Sequence, residues 1–181
     1  MTVDLTVNLK DAIRTIPDFP KPGIMFRDVT TLMKDEAAFR QAIMQLADAY
    51  ADAGIEKVAG IDARGFIFGA PVAEKLEAGF VPMRKKGKLP GETYAETYEL
   101  EYGTDQLEMH VDAVEPGEKV LLIDDLIATG GTAEAAIHLL TRAGAEIVGA
   151  AFVIDLPDLG GIARLHKLGI DTTCLVAYEG H

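Results

Sequence analysis

The chain is poor in several residue types, and each shortage excludes a class of protein. It has one cysteine, Cys174, in 181 residues, which rules out an intramolecular disulfide and a zinc site built from several cysteines. No apolar run approaches the ~20 residues of a membrane-spanning helix. The first ten residues lack the basic and then apolar pattern of a signal peptide. These shortages favour a protein of the reducing cytoplasm with no membrane partner.

Positive charge is also scarce. The chain has 17 Lys and Arg against 29 Asp and Glu, for a net charge of −12, whereas nucleic-acid binding normally requires a basic face. We therefore expect no nucleic-acid partner. A phosphate-rich substrate would have to be held by cations concentrated locally, and the densest run is Arg84-Lys85-Lys86-Gly87-Lys88.

Hydrophobic periodicity predicts a single domain in which strands and helices alternate. Hydrophobic residues make up 49% of the chain, enough for a full core in a domain of ordinary size. The alternation predicts an α/β fold with a mainly parallel sheet, whose ligands bind beyond the carboxyl ends of the strands. Residues 84–110 suggest a hairpin or flap. Strands are expected at 58–61, 80–82, 119–124, 147–154 and 173–178, and helices at 9–16, 35–53, 65–76, 133–142 and 161–168.

The most informative segment is 120–132, Val-Leu-Leu-Ile-Asp-Asp-Leu-Ile-Ala-Thr-Gly-Gly-Thr. An apolar strand ends in Asp124 and Asp125, a short loop follows, and an amphipathic helix begins at once. Free N–H groups and the helix dipole make such a helix N-terminus an anion site. Glycines let the backbone approach a phosphate, threonines can add hydroxyl donors, and the two acids suit a sugar diol or hydrated Mg²⁺.

Two other interpretations of this segment stay open at the level of sequence. It could be an ordinary strand-to-helix turn with Thr129 or Thr132 as the capping residue, although this leaves the paired acids unexplained. One acid could instead be a phosphoacceptor, as in receiver domains, which would not require the Thr-Gly-Gly-Thr loop. A Walker A loop is excluded because no Lys-Ser/Thr follows the glycines.

The segment resembles the diphosphate-sugar site of the type I phosphoribosyltransferases. Three further segments resemble the adenine phosphoribosyltransferase family, namely residues 17–28, 60–69 and 98–103 (Tyr-Glu-Leu-Glu-Tyr-Gly). The resemblance implies one domain over 1–181, with a twisted, mainly parallel sheet flanked by helices. It also implies a small base-binding hood from about 1–34 plus C-terminal elements, and a flexible flap at about 85–110. The implied reaction joins adenine to 5-phosphoribosyl-1-diphosphate, giving AMP and pyrophosphate, in a homodimer that uses Mg²⁺.

The resemblance also implies roles for individual residues. The catalytic candidates are Glu101 and Tyr102 on the flap, together with Arg64. The 5′-phosphate and ribose are assigned to Asp124, Asp125, Ala128, Thr129, Gly130, Gly131 and Thr132. Pyrophosphate is assigned to Ala63, Arg64, Gly65, Arg84, Lys85 and Lys88, with a non-proline cis peptide near Ala63. Adenine is assigned to Met25, Arg27 and Leu156, and Mg²⁺ is expected to bind through the substrate, with Asp124 as a further ligand.

Rival interpretations concern the base and the type of function. Transferases of 6-oxo purines usually carry a base-reading Lys after the diphosphate-binding strand, and residues 147–160 contain none. A phosphoribosyl-sensing regulator would need an added basic DNA-binding domain. Met25 and Leu156 could be core residues, Arg27 and Asp28 a structural ion pair, and Glu101 an exposed hairpin acid.

Overall fold

The computed structural model describes residues 6–100 and 103–180. Its elements follow the predicted alternation of strands and helices. In chain order they are β1 (Arg14–Pro17), β2 (Met25–Asp28), α1 (Thr30–Lys34), α2 (Glu36–Asp48), β3 (Lys57–Ile61), α3 (Arg64–Lys75), β4 (Gly79–Lys85), β5 (Thr93–Glu99), β6 (Thr104–His110), β7 (Lys119–Ile127), α4 (Gly131–Arg142), β8 (Glu146–Asp155), a 3₁₀ turn (Pro157–Leu159), α5 (Gly161–Lys167) and β9 (Thr172–Ala177).

Seven strands form one sheet in the order β5-β6-β4-β3-β7-β8-β9. The five strands from β4 to β9 run parallel to their neighbours, as expected when helices connect them. The hairpin β5-β6 joins antiparallel to β4 and corresponds to the predicted flap region. The mainly parallel α/β fold is therefore confirmed.

Helices cover both faces of this sheet, which explains why its central strands are apolar throughout. Helices α2 and α3 bury residues such as Leu46 and Phe68 in the core on one face. Helix α4 buries Leu139 and Leu140 on the other, with Leu165 of α5. A parallel strand buried on both faces carries a continuous hydrophobic run, as β7 does from Val120 to Ile123. No helix in the described part of the chain is long and apolar enough to cross a membrane.

The predicted first helix is wrong. Residues 9–13 form successive turns, in which Asp11 N–H donates to the Asn8 carbonyl and Ile13 N–H to that of Lys10. The chain then enters β1, which pairs antiparallel with β2 in a separate two-stranded sheet. The apolar residues have helical spacing, but the strand pairing decides the conformation. Helix α2 also ends earlier than predicted, at Asp48.

Candidate active site

The 120–132 segment forms a strand, a loop and a helix N-terminus, as predicted. Gly130 is the N-cap of α4 in the left-handed conformation, with φ +81°, and no side chain caps the helix. The interpretation in which a threonine caps this helix is therefore wrong. The first-turn N–H groups have no partner within the helix and line a cavity of about 190 Å³ formed by Arg64 and residues 124–133. Such a cavity suits an anion.

Two carboxylates and one guanidinium meet where β7 ends. Asp125 is buried, at 6% exposure, and accepts a hydrogen bond from Arg64 Nε. Its N–H donates to Asp124 Oδ1 over 2.9 Å. Burial, followed by the charge of Asp125, raises the pKa of Asp124 well above its usual value. Burial lowers the pKa of Arg64, but attraction to Asp125 outweighs it and the net shift is upward, so Arg64 stays charged.

Close packing of α3 against β7 brings these groups together. The Asp62–Ala63 peptide bond is cis, as predicted for this position, and Arg64 is the first residue of α3. A Cβ atom on Gly65 would lie 2.9 Å from Asp124 Oδ1 and 3.0 Å from the Ile123 carbonyl oxygen. Glycine at position 65 therefore lets the N-terminus of α3 reach the end of β7.

Three of the predicted pyrophosphate residues, Ala63, Arg64 and Lys85, line one cavity, whereas Gly65, Arg84 and Lys88 are not among its lining residues. Arg84 Nε is 3.2 Å and Lys88 Nζ 3.6 Å from the carboxylate of Asp62, and Lys85 Nζ is 3.1 Å from that of Asp105. Lys85 lines a cavity of about 200 Å³ together with Ile61, Asp62, Ala63, Arg64, Tyr98, Leu100, Leu107, Asp124, Asp125 and Thr132. Despite the acidic composition, two cations line this cavity, and two more pair with the carboxylate of Asp62 in its wall.

A third, more apolar cavity of about 310 Å³ adjoins Arg64 and is lined by Ile16, Phe19, Phe26, Arg27, Asp28, Val29 and Thr30. The rings of Phe19 and Phe26 pack edge to face at 5.2 Å. Met25, which is 38% exposed, and Leu156 are not among its lining residues. Sequence reasoning missed Phe19 and Phe26, although the aromatic residues on both sides of the proline-rich turn were a usable signal.

Arg27 is held by three groups from distant parts of the chain. One terminal nitrogen donates to Thr15 Oγ1 over 2.6 Å and the other to the Gly180 carbonyl over 3.3 Å. The guanidinium lies 4.3 Å from the centre of the Tyr178 ring. The possible ion pair of Arg27 with Asp28 is wrong, because Asp28 pairs with Arg14. Arg27 Nε is buried and has no partner in the described part of the chain.

The predicted catalytic residues Glu101 and Tyr102 lie outside the described residues, and their roles stay predictions. The hairpin formed by β5 and β6 does reach the loop at residues 128–132. Tyr98 and Leu100 line the cavity of about 200 Å³ together with Thr132, and a Cβ atom on Gly131 would lie 3.5 Å from the Glu99 carbonyl oxygen. The flap therefore joins the site beside the N-terminus of α4.

Residues 28–175 match the model of the phosphoribosyl transferase domain, which covers the β7–α4 loop and the start of α3. The chain belongs to the phosphoribosyltransferase family. The receiver-domain interpretation of Asp124 and Asp125 is thereby excluded, and the type I phosphoribosyltransferase fold predicted from the sequence is confirmed.

Within this family, the chain is most informatively compared with individual adenine phosphoribosyltransferases. The adenine phosphoribosyltransferase of Chelativorans sp. strain BNC1 is 62% identical over 181 residues, all of both chains. The crystal structure of adenine phosphoribosyltransferase from Rhodothermus marinus is 54% identical with a TM-score of 0.88, covering 94% of this chain and 96% of that one. The Saccharomyces cerevisiae enzyme, complexed with adenine and an imino-altritol bisphosphate, is 38% identical with a TM-score of 0.86 and coverage of 93% and 96%. The predicted resemblance to adenine phosphoribosyltransferases is confirmed.

Proposed function

We propose that this phosphoribosyltransferase transfers the 5-phosphoribosyl group of 5-phosphoribosyl-1-diphosphate to adenine, giving AMP and pyrophosphate in purine salvage. The observation that carries the proposal is the sharing of Arg64 by three adjoining cavities. The first cavity is formed by the anion-binding loop, the second is lined by cations and acids, and the third is largely apolar. These properties match, in the same order, the 5′-phosphate of one substrate, its diphosphate, and the adenine base that is the acceptor.

The 5′-phosphate is assigned to Ala128–Thr132 and the ribose hydroxyls to Asp124 and Asp125. The support is the uncapped N-terminus of α4 and the position of both carboxylates in the wall shared by two cavities. Hydroxyl groups donate to carboxylate oxygens, so the acids fix the sugar with its anomeric carbon towards Arg64. Positioning of this kind supplies much of the rate enhancement in a two-substrate reaction.

Pyrophosphate leaves as the bond from the anomeric carbon to its oxygen breaks and the adenine nitrogen forms the new bond. Negative charge grows on the leaving group, so fixed donors aimed at it stabilise the transition state. We assign Ala63, Arg64 and Gly65 to this role, with Arg84, Lys85 and Lys88. Arg84, Lys85 and Lys88 are already balanced by Asp62 and Asp105, so at these residues substrate binding exchanges one anionic partner for another. Arg64 is held by Asp125 through Nε.

The residues present also suit Mg²⁺. One or two carboxylates combined with substrate phosphates are its usual ligands in proteins, and Asp124 and Asp125 offer such oxygens. Within the described residues, no three or more His, Cys, Asp or Glu side chains form a ready metal site. The ion would neutralise charge on the departing pyrophosphate.

Adenine is assigned to the apolar cavity and its rim. A flat base needs apolar surface at its faces and hydrogen bonds at its edge, and Phe26 and Arg27 line the cavity. Met25 and Leu156 stay as predicted contacts. The absence of a lysine in residues 147–160 favours a 6-amino over a 6-oxo purine.

The flap completes the proposed chemistry. Glu101 is assigned to proton transfer on the imidazole side of adenine and Tyr102 to packing over the reacting groups. Closure would exclude water and suppress hydrolysis of the activated ribose. Family resemblance supports a homodimer, and the single, half-buried cysteine accords with a reducing cytoplasm.

A turnover assay tests the proposed function. The protein, 5-phosphoribosyl-1-diphosphate and Mg²⁺ are mixed separately with adenine, hypoxanthine, guanine, xanthine and orotate, and the nucleotides are separated by chromatography. AMP from adenine alone is the expected result. A product from another base would contradict the assignment of the base site. Binding of 5-phosphoribosyl-1-diphosphate without any product would favour a sensor.

A further inference from the structure

Arg164 of α5 lies against the outer side of the phosphate loop, outside the lining of its cavity. Its Nε donates to the Glu134 carboxylate over 2.6 Å, and a terminal nitrogen makes a second contact with the same carboxylate. The other terminal nitrogen donates to the Thr129 carbonyl over 3.5 Å. One side chain thus links α5, the loop and the first turn of α4.

Backbone packing fixes the same two segments together. Gly161 N–H donates to the Ala128 carbonyl over 3.0 Å. A Cβ atom on Gly161 would lie 2.4 Å from that carbonyl oxygen and 2.6 Å from Ile127 Cγ1, so α5 starts in direct contact with the loop. The outer wall of the anion cavity is therefore held by α5, which keeps the loop N–H groups in place before a phosphate arrives.

Arg164 also compensates the negative charge of Glu134. Glu134 lies in the first turn of α4, the end of the helix whose dipole attracts anions. Left alone, this carboxylate would repel the phosphate that the loop is shaped to hold. The ion pair with Arg164 neutralises it, and the guanidinium presents two nitrogens to the same carboxylate oxygen, Oε2, which the single nitrogen of an ammonium group does not.

We infer that Arg164 and Glu134 form a positioning pair that sets the affinity of the 128–132 loop for the 5′-phosphate of the substrate. Neither residue touches the reacting atoms. The identity of the natural ligand rests on the proposed function, but the effect on phosphate binding does not, because it can be measured with ribose 5-phosphate alone.

Four variants test the pair: Arg164→Gln, Arg164→Lys, Glu134→Gln and the double variant Arg164→Gln/Glu134→Gln. Calorimetry gives the dissociation constant for ribose 5-phosphate, and steady-state kinetics give both KM values and kcat. Arg164→Gln is expected to weaken ribose 5-phosphate binding about three- to tenfold, the size of a nearby uncompensated charge. It should raise the KM for 5-phosphoribosyl-1-diphosphate in parallel, with the KM for adenine unchanged.

The other three variants separate charge from geometry. Arg164→Lys should recover part of the lost affinity for ribose 5-phosphate, and the double variant should recover more than half of it. Glu134→Gln alone should not weaken binding of ribose 5-phosphate.

Lys167→Gln is the matched control, since it removes one exposed positive charge from the same helix. Unfolding midpoints of all variants exclude loss of structure as the cause. Unchanged ribose 5-phosphate binding in Arg164→Gln, or an equal loss in Lys167→Gln, would overturn the inference. If the wild-type protein makes no AMP but Arg164→Gln still binds ribose 5-phosphate more weakly, the proposed function fails and this inference stands.

Discussion

Arg64, the first residue of α3, donates from Nε to the carboxylate of Asp125 at the end of β7. The pair joins two elements whose contact depends on Gly65, and it leaves the rest of the guanidinium facing three cavities. The carboxylate is buried, whereas half of the Arg64 side chain is exposed. Asp125 therefore fixes the direction of a cation that remains available to a ligand.

Arg64→Gln is expected to lower kcat/KM for 5-phosphoribosyl-1-diphosphate by about 10²-fold or more, the usual cost of removing one fixed donor from a developing anion. It also leaves Asp125 without its counter-charge. Arg40→Gln, which removes an exposed arginine paired with Glu36 on α2, is the control and should keep full activity. Equal activity of the two variants would contradict the role of Arg64.

Glu101→Gln keeps the shape of the flap side chain and removes its charge. If Glu101 helps move a proton on adenine, kcat should fall roughly 10²–10⁴-fold, with little change in the KM for 5-phosphoribosyl-1-diphosphate. Glu92, an acid at the other end of β5, is exposed, and Glu92→Gln should behave as the wild type. Unchanged turnover of Glu101→Gln would show that this acid is an ordinary hairpin residue.

The sequence predicts those parts of the fold whose conformation is decided by residues close to one another in the chain. The run Val120–Ile123 must be buried on both faces, and Gly130 with Gly131 must form a turn before an amphipathic helix. Strand β1 had no such local signal. Ile13 and Ile16 are spaced as on a helix, and only pairing of Ile16 with Phe26 makes this segment a strand.

The candidate site shows the same difference between local and long-range contacts. Asp124, Asp125 and the loop are adjacent in sequence, so their chemistry was visible as one motif. The contact of Arg164 with Thr129 and Glu134 joins residues about 30 positions apart and follows no local pattern. Likewise, the choice of Phe26 rather than Met25 as a cavity wall depends on contacts with other segments, such as the packing of Phe26 on Phe19 and the pairing of β2 with β1.

Tyr178 is expected to act through Arg27 on adenine binding. Its ring is 9% exposed and lies under the Arg27 guanidinium, and its hydroxyl donates to the Lys10 carbonyl over 3.0 Å. Tyr178→Leu removes the ring and should raise the KM for adenine about three- to tenfold, since such cation–ring contacts contribute about 0.5–2 kcal/mol. Tyr178→Phe keeps the ring and should stay near wild type. An equal rise in the KM for 5-phosphoribosyl-1-diphosphate would contradict this specific role.

Asp28 should make stability depend on pH at the acid end. Hydrogen bonding from the Thr30 side chain, then from Arg14, lowers the pKa of Asp28 from 3.8 to about 2. Since the pKa is lowered in the folded state, the stabilisation is complete above pH 3.8 and is lost as the pH falls towards 2. Asp28→Asn should therefore lower the free energy of unfolding more at about pH 6 than at about pH 3. Denaturant titrations at both values measure this, and a pH-independent difference would contradict it.

Gly65→Ala tests whether the approach of α3 to β7 builds the site. The new Cβ would lie 2.9 Å from Asp124 Oδ1 and 3.0 Å from a backbone oxygen that cannot rotate away, so the helix N-terminus must shift and carry Arg64 with it. Overpacking of this kind destabilises a protein by about 1–3 kcal/mol. Displacement of Arg64 should in addition lower kcat/KM under conditions in which the variant is fully folded. Gly79→Ala is the matched control, because its Cβ would meet only the flexible Lys57 side chain, at 3.1 Å. Full activity of Gly65→Ala at a temperature where it is folded would mean that the position of α3 is not what orients Arg64.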